Sequence, residues 1–170
     1  MTGRRFGARR LTVVGVLTAM TVVTTVFTRI PLGYGYFNLG DTVILVAGVL
    51  FGGFTGAFAG AVGSALADII TGSYIFAPIS LIVKGLEGFA AGRIAKGGNG
   101  NGRLTIALIV GACVMVAGYF IGEATVLTLF DRVFGFGAAV AELPFNLAQG
   151  GISVALARLA VEGFRRSKII

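Results

Sequence analysis

Residues 11–28 form an uncharged run of 18 positions, and from there the chain alternates long apolar runs with short polar, glycine-rich breaks. At 1.5 Å per residue such a run nearly crosses a hydrocarbon core of roughly 30 Å. The pattern therefore predicts a first membrane helix over 11–28. Arg29, Ile30 and Pro31 close it, because proline disfavours helix in the residue before it. The stretch YGYFNLGD, residues 34–41, follows as an aromatic and polar loop, and the chain is then apolar from Thr42 to Ile70 apart from Asp68. As one straight helix those 29 residues would measure about 44 Å, well beyond the core. A break at Gly52-Gly53 is expected, giving a short second span over 42–52 that starts at an Asp41 N-cap and a glycine-rich third over 54–70; a single steeply tilted helix is the alternative. Residues 71–78 form a second aromatic loop, and residues 96–103 a glycine/asparagine turn. Further spans are expected over 79–95, 104–130 and 138–159.

Composition agrees with this pattern. The 170 residues are 56% hydrophobic and 12% charged, with a mean hydropathy of +0.93, whereas soluble domains carry roughly a quarter charged residues. An all-α integral membrane protein of one transmembrane domain, residues 1–170, is expected. Its 28 glycines suit close helix packing in lipid. The basic terminus before the first run raises a secretory signal as a rival, but no small-x-small cleavage site follows, which favours a retained helix. With no histidine and the single Cys113 inside an apolar run, the chain is expected to hold no Cys/His metal site, no histidine-based triad, no internal disulfide and no cofactor.

The formal charge of +7 lacks the interleaved basic and aromatic stripe of a nucleic-acid surface, and topology explains it better. With six spans, Arg4, Arg5, Arg9 and Arg10 share a side with Arg93, Lys96 and Arg103 and with Arg158, Arg165, Arg166 and Lys168. Only Arg29 and Arg132 fall opposite. Five spans would split the clusters, so the positive-inside rule selects six helices with both termini cytoplasmic. The 34–41, 72–78 and 131–137 loops then face outward together.

Ionisable groups inside a membrane cost roughly 2.5–3.5 kcal/mol at a helix centre, so each is a functional candidate. Lys84 and Glu87, three apart, share one helical face, as a structural ion pair or as ligand anchors. Glu123 stands one turn after Tyr119, and Glu142, Asn146 and Gln149 form a polar stripe at i, i+4, i+7 that suits either a pocket or interhelical glue. Asp41 and Asp68 suit helix caps as well as ligand contacts. Asn38, beside Tyr34, Tyr36 and Phe37, is placed to read the polar edge of a ring that the aromatics cover, with Tyr74 or Tyr119 as a stacking surface. Gly15 and Ala19 make a small-xxx-small step on the first span, as ordinary packing or as a groove for a partner helix.

Three segments carry a resemblance: residues 38–53 (NLGDTVILVAGVLFGG), 56–68 (GAFAGAVGSALAD) and 78–88 (PISLIVKGLEG). Together they resemble the substrate-binding S components of energy-coupling factor (ECF) vitamin transporters, most closely the branch linked to riboflavin, hydroxymethylpyrimidine or pyridoxine uptake. The resemblance covers about residues 11–160 and is most specific over 38–92. It implies a six-helix bundle in a prokaryotic plasma membrane, surrounded by lipid, that binds a vitamin from outside under the loop after the first span. It further implies association with a transmembrane coupling subunit and two cytoplasmic ATPases. Gly15 and Ala19 match the family's Ala-xxx-Ala contact for the coupling subunit, with glycine in place of the first alanine. On this reading Tyr34, Tyr36 and Phe37 form the lid, Asn38 and Asn146 bond the ligand, Lys84 and Glu123 anchor it, and Tyr74 or Tyr119 stacks on it. The sequence holds no GxxxxGK[ST] phosphate loop, so energy would come from partners. A self-sufficient ion-coupled carrier or channel is the rival; an enzyme is weaker, for no nucleophile with its base stands out.

Overall fold

The computed structural model describes residues 3–98 and 100–167, with side chains from Gly7 onward. Six α-helices carry the chain: α1 (Gly3–Phe27), α2 (Gly40–Phe51), α3 (Gly53–Ile70), α4 (Ala77–Ala95), α5 (Asn101–Ile121) and α6 (Phe136–Arg166). Between α1 and α2 the chain makes a small antiparallel hairpin, β1 (Ile30–Leu32) and β2 (Gly35–Phe37), pairing Ile30 with Phe37, Pro31 with Tyr36 and Leu32 with Gly35. The hairpin takes in the first part of the aromatic and polar loop expected over 34–41 and begins before it, at Ile30. Of the cations used in the topology argument, the Arg4 and Arg5 side chains and Lys168 lie outside the described residues.

Helix lengths follow the glycines and the charges. Gly52 has φ +94°, a left-handed geometry that parts α2 from α3 where the length argument places a break. At 12 residues α2 reaches about 18 Å, too short to cross a membrane alone. The end of the fifth span is not plain α-helix: α5 stops at Ile121 and continues through a π-helical turn (Gly122–Val126) and a 3-10 turn (Leu127–Leu129). Among the described residues three helical segments are long and apolar enough to cross a membrane: Gly7–Phe27, Gly53–Ile70 and Asn101–Leu129. α4 carries Lys84, Glu87 and Arg93, and α6 carries Glu142, Gln149 and Pro144, which lower the hydropathy of otherwise long helices.

Glycine sets the packing of α2, α3 and α4. A Cβ on Gly56 would lie 2.6 Å from Gly48 Cα and 2.7 Å from Gly88 O, so backbone meets backbone at this crossing. Close approach of this kind is how helices associate where lipid removes the hydrophobic drive. Large apolar side chains cover the outside of the bundle, while its core mixes apolar residues with buried polar and charged ones. Val16, Ile82, Leu86, Ile106, Leu147 and Leu159 face outward, while Asp41, Asp68, Lys84, Glu87, Glu123, Glu142 and Gln149 are buried. Polar groups turned inward and apolar groups turned outward are the arrangement a bilayer demands.

Asp41 does not cap α2. The cap position is Leu39, without a side-chain cap bond. Instead Asp41 pairs with Lys84 through Oδ1 and accepts from Gln149 Nε2 through Oδ2 at 2.8 Å. Lys84 also stands 3.7 Å from Glu87, the pairing the sequence suggests, but Asp41 is its nearer partner. A single buried lysine thus ties α2 to α4, and Gln149 extends the link to α6.

Candidate binding site

The hairpin is fastened at several points. Gly33 turns it at φ +58°, and a Cβ there would run into Glu142 Oε1. That carboxylate oxygen accepts the backbone N–H of Tyr34 at 2.5 Å and of Gly35 at 3.2 Å, so α6 holds the hairpin tip through one side chain. The Tyr36 hydroxyl donates to Asp68 Oδ1 at the end of α3. Burial, the neighbouring Tyr119 and the Asp68 carboxylate push the Tyr36 phenol far above its ordinary pKa, which keeps it a neutral donor. Arg29, just before β1, lies 4.4 Å over the Tyr36 ring and donates to Thr71 O at 2.9 Å and Ser73 Oγ at 2.6 Å. Rings continue the attachment: Tyr34 meets Phe134 at 6.4 Å, Phe134 meets Phe76 edge-on at 5.4 Å, and Phe76 meets Tyr36 edge-on at 6.4 Å.

Beneath the hairpin lies a narrow polar cavity. Gly35, Tyr36 and Asn38 form its roof, Phe76 and Tyr119 its aromatic sides, and Glu123, Glu142, Asn146 and Gln149 the rest of the wall. Its free volume is about 20 Å³, room for one or two waters. A heteroaromatic ring enters only if the hairpin or the surrounding side chains move. The π-helical turn places Glu123 on this wall, and π turns inserted in α-helices often occur at functional sites. Asn38 ties the roof to α6 and α2: its N–H donates to Gln149 Oε1 at 2.8 Å, its Nδ2 to the same oxygen at 3.3 Å, and its Oδ1 accepts from Gly40 N at 2.8 Å. Tyr119 shares a 2.6 Å hydrogen bond with Ser80 Oγ and carries Lys84 Nζ 5.1 Å above its ring.

A family model described as the ECF-type riboflavin transporter, S component, matches residues 5–166. This chain belongs to that family. S components are membrane subunits that bind small vitamins and work with a coupling subunit and ATPases, and they are not enzymes. A solved structure, described as "Structure and mechanism of the S component of a bacterial ECF transporter", superposes with a TM-score of 0.76 over 94% of this chain and 97% of that one. At 18% identity that likeness shows the S-component fold. A protein from Pyrococcus woesei, described as an uncharacterized protein in gap 3'region, is 43% identical over 129 residues, covering 75% of this chain and 82% of its own.

In this S component the cavity gathers Tyr36, Asn38, Tyr119, Glu123 and Asn146 from the residues singled out in the sequence. The others lie elsewhere. Tyr34 is 47% exposed and serves the hairpin through its backbone N–H and its ring. Phe37 is half-buried outside the cavity, and Tyr74 is 67% exposed while Phe76, two residues on, takes the wall position. Lys84 is buried in its ion pairs and reaches the site only through the Tyr119 ring. Gly35, Phe76, Glu142 and Gln149 complete the wall. The spacing of Glu142, Asn146 and Gln149 already marks a shared face. Gly15 and Ala19 are exposed on α1, and a Cβ on Gly15 would meet no atom within 4 Å.

Proposed function

We propose that this S component captures a small heteroaromatic vitamin or precursor, of the hydroxymethylpyrimidine, pyridoxine or riboflavin class, and delivers it inward with a transmembrane coupling subunit and two cytoplasmic ATPases. The observation that carries this reading is the hairpin-roofed cavity, where two aromatic rings flank a wall bearing Glu123, Glu142 and Asn146. Rings cover a flat ligand while a few convergent polar groups read its edge. The six helices lie in the plasma membrane, the short α2 reaching through only part of its depth, with both termini cytoplasmic so that the hairpin faces outward; the bias of arginine and lysine supports this. Membrane lipid covers the outward apolar faces. Opening requires release of the Glu142 contacts to the hairpin tip.

The exposed Gly15 and Ala19 lie on α1 beside an apolar groove lined by Thr12, Val16, Met20, Val46 and Phe164. A helix of the coupling subunit packs there. Gly15→Leu is expected to cut vitamin uptake in cells at least fivefold, while ligand affinity of the purified variant stays within twofold. A parallel loss of affinity would remove this surface from the partner contact.

Native mass spectrometry of the purified protein, followed by uptake in cells with and without the coupling subunit and ATPases, tests the whole reading. A bound heteroaromatic vitamin and uptake that depends on the partners are the expected results. Ligand-specific accumulation by the chain alone, driven by an ion gradient, would instead establish a self-sufficient carrier.

A further inference from the structure

Hydrogen-bond accounting on the cavity wall is lopsided. Tyr36 donates to Asp68, Asn38 Nδ2 to Gln149, and Gln149 Nε2 to Asp41, while the Tyr119 hydroxyl is shared with Ser80. Among the described residues Asn146 is the wall amide that keeps its donors uncommitted. On the acceptor side Glu123 is 3% exposed, and its Oε2 is buried with no hydrogen-bond partner. A buried acceptor without a protein partner is left to water or to a ligand donor, and a ligand donor that displaces the water takes over that bond. Glu142 adds a second carboxyl group to the same wall.

Cations are committed elsewhere. Lys84 pairs with Asp41 and Glu87, and Arg29 donates to Thr71 O and Ser73 Oγ; neither lines the cavity. An anionic group entering here meets two carboxyl groups and no balancing charge.

We infer that the cavity takes an uncharged or cationic heteroaromatic ligand whose edge carries amino or hydroxyl donors aimed at Glu123, and that it excludes the phosphate ester of the same molecule. This rests on the vitamin-capture reading and narrows its substrate class. Selectivity of this kind lies as much in the repulsive wall as in the attractive contact.

Titration calorimetry on the full chain in nanodiscs tests it with three matched pairs: hydroxymethylpyrimidine, pyridoxine and riboflavin, each beside its phosphate monoester. The best-binding alcohol is expected to exceed its ester in affinity at least tenfold. Glu123→Gln keeps the side-chain size, removes the ionisable carboxyl group and puts an amide donor in place of one oxygen, so it should narrow that ratio at least threefold. An ester binding within tenfold of its alcohol in the wild-type protein overturns the inference and leaves vitamin capture standing, and this arm does not depend on any variant. A folded Glu123→Gln protein whose ratio narrows less than threefold overturns it as well, since rejection would then be steric. Absence of binding by all six compounds overturns the capture reading for these classes, and the inference with it.

Discussion

Lys84→Met lowers the stability of the protein by about 3–5 kcal/mol, the cost typical of removing one partner from a buried ion pair. Lys84 is 3% exposed, and its removal leaves Asp41 and Glu87, both fully buried, facing each other without a cation. Gln149 Nε2 still donates to Asp41, but one neutral amide does not balance two carboxyl groups. The damage spreads to the site, because Gln149 also holds Asn38, and Lys84 lies over the Tyr119 ring. The triple variant Lys84→Met, Asp41→Asn, Glu87→Gln should recover much of the loss, since the buried charge is then gone rather than stranded. Denaturant-induced unfolding in one detergent compares the three proteins. A Lys84→Met protein as stable as the parent would mean the ion pair is not formed in the membrane.

Gly56→Ala is the second large effect. Its new Cβ would lie 2.6 Å from Gly48 Cα and 2.7 Å from Gly88 O, and neither atom belongs to a flexible side chain. Helices α2, α3 and α4 must separate, at a cost of about 1–3 kcal/mol for an overpacked contact. Gly151→Ala on α6 is the control. Its Cβ would meet no atom within 4 Å, and alanine in a helix interior gains about 0.5–1 kcal/mol over glycine. The two substitutions are chemically identical, so opposite shifts in unfolding midpoint isolate the packing term. Equal shifts would contradict the backbone-to-backbone crossing.

Much of this architecture is legible from the chain. The uncharged run at 11–28, the overlong run at 42–70 and the charges set within apolar runs announce a membrane helical bundle with some polar groups inside. The ends of elements are less so. α6 continues to Arg166, past the expected limit at residue 159: Val161 is still buried in the cluster with Leu104 and Leu108, and Arg158 pairs with Glu162 at i, i+4 along the same stretch. The hairpin escapes detection because three-residue strands containing Pro31 give no alternation to read.

The site divides in the same way. Asn38, Glu123 and Asn146 stand out as polar residues within or beside apolar runs, and helical spacing assigns Glu123 and Asn146 their faces. Phe76 and Tyr74 differ by two positions in one short loop, and only the folded chain shows that Phe76 is buried on the wall while Tyr74 is exposed. Asp41 sits where a helix cap would, and only the fold brings Lys84 and Gln149 to it. Long-range partners of this sort leave no local trace.

The central claim is that ligand binds in the hairpin-roofed cavity. Calorimetry with the best-binding vitamin measures it most directly, comparing Glu123→Ala and Asn146→Ala inside the cavity with Phe37→Ala and Tyr74→Ala outside it. The first two should weaken binding at least tenfold, and the last two should leave it within twofold of the parent. Unchanged affinity in both cavity variants, or a loss confined to Phe37→Ala and Tyr74→Ala, would contradict the account.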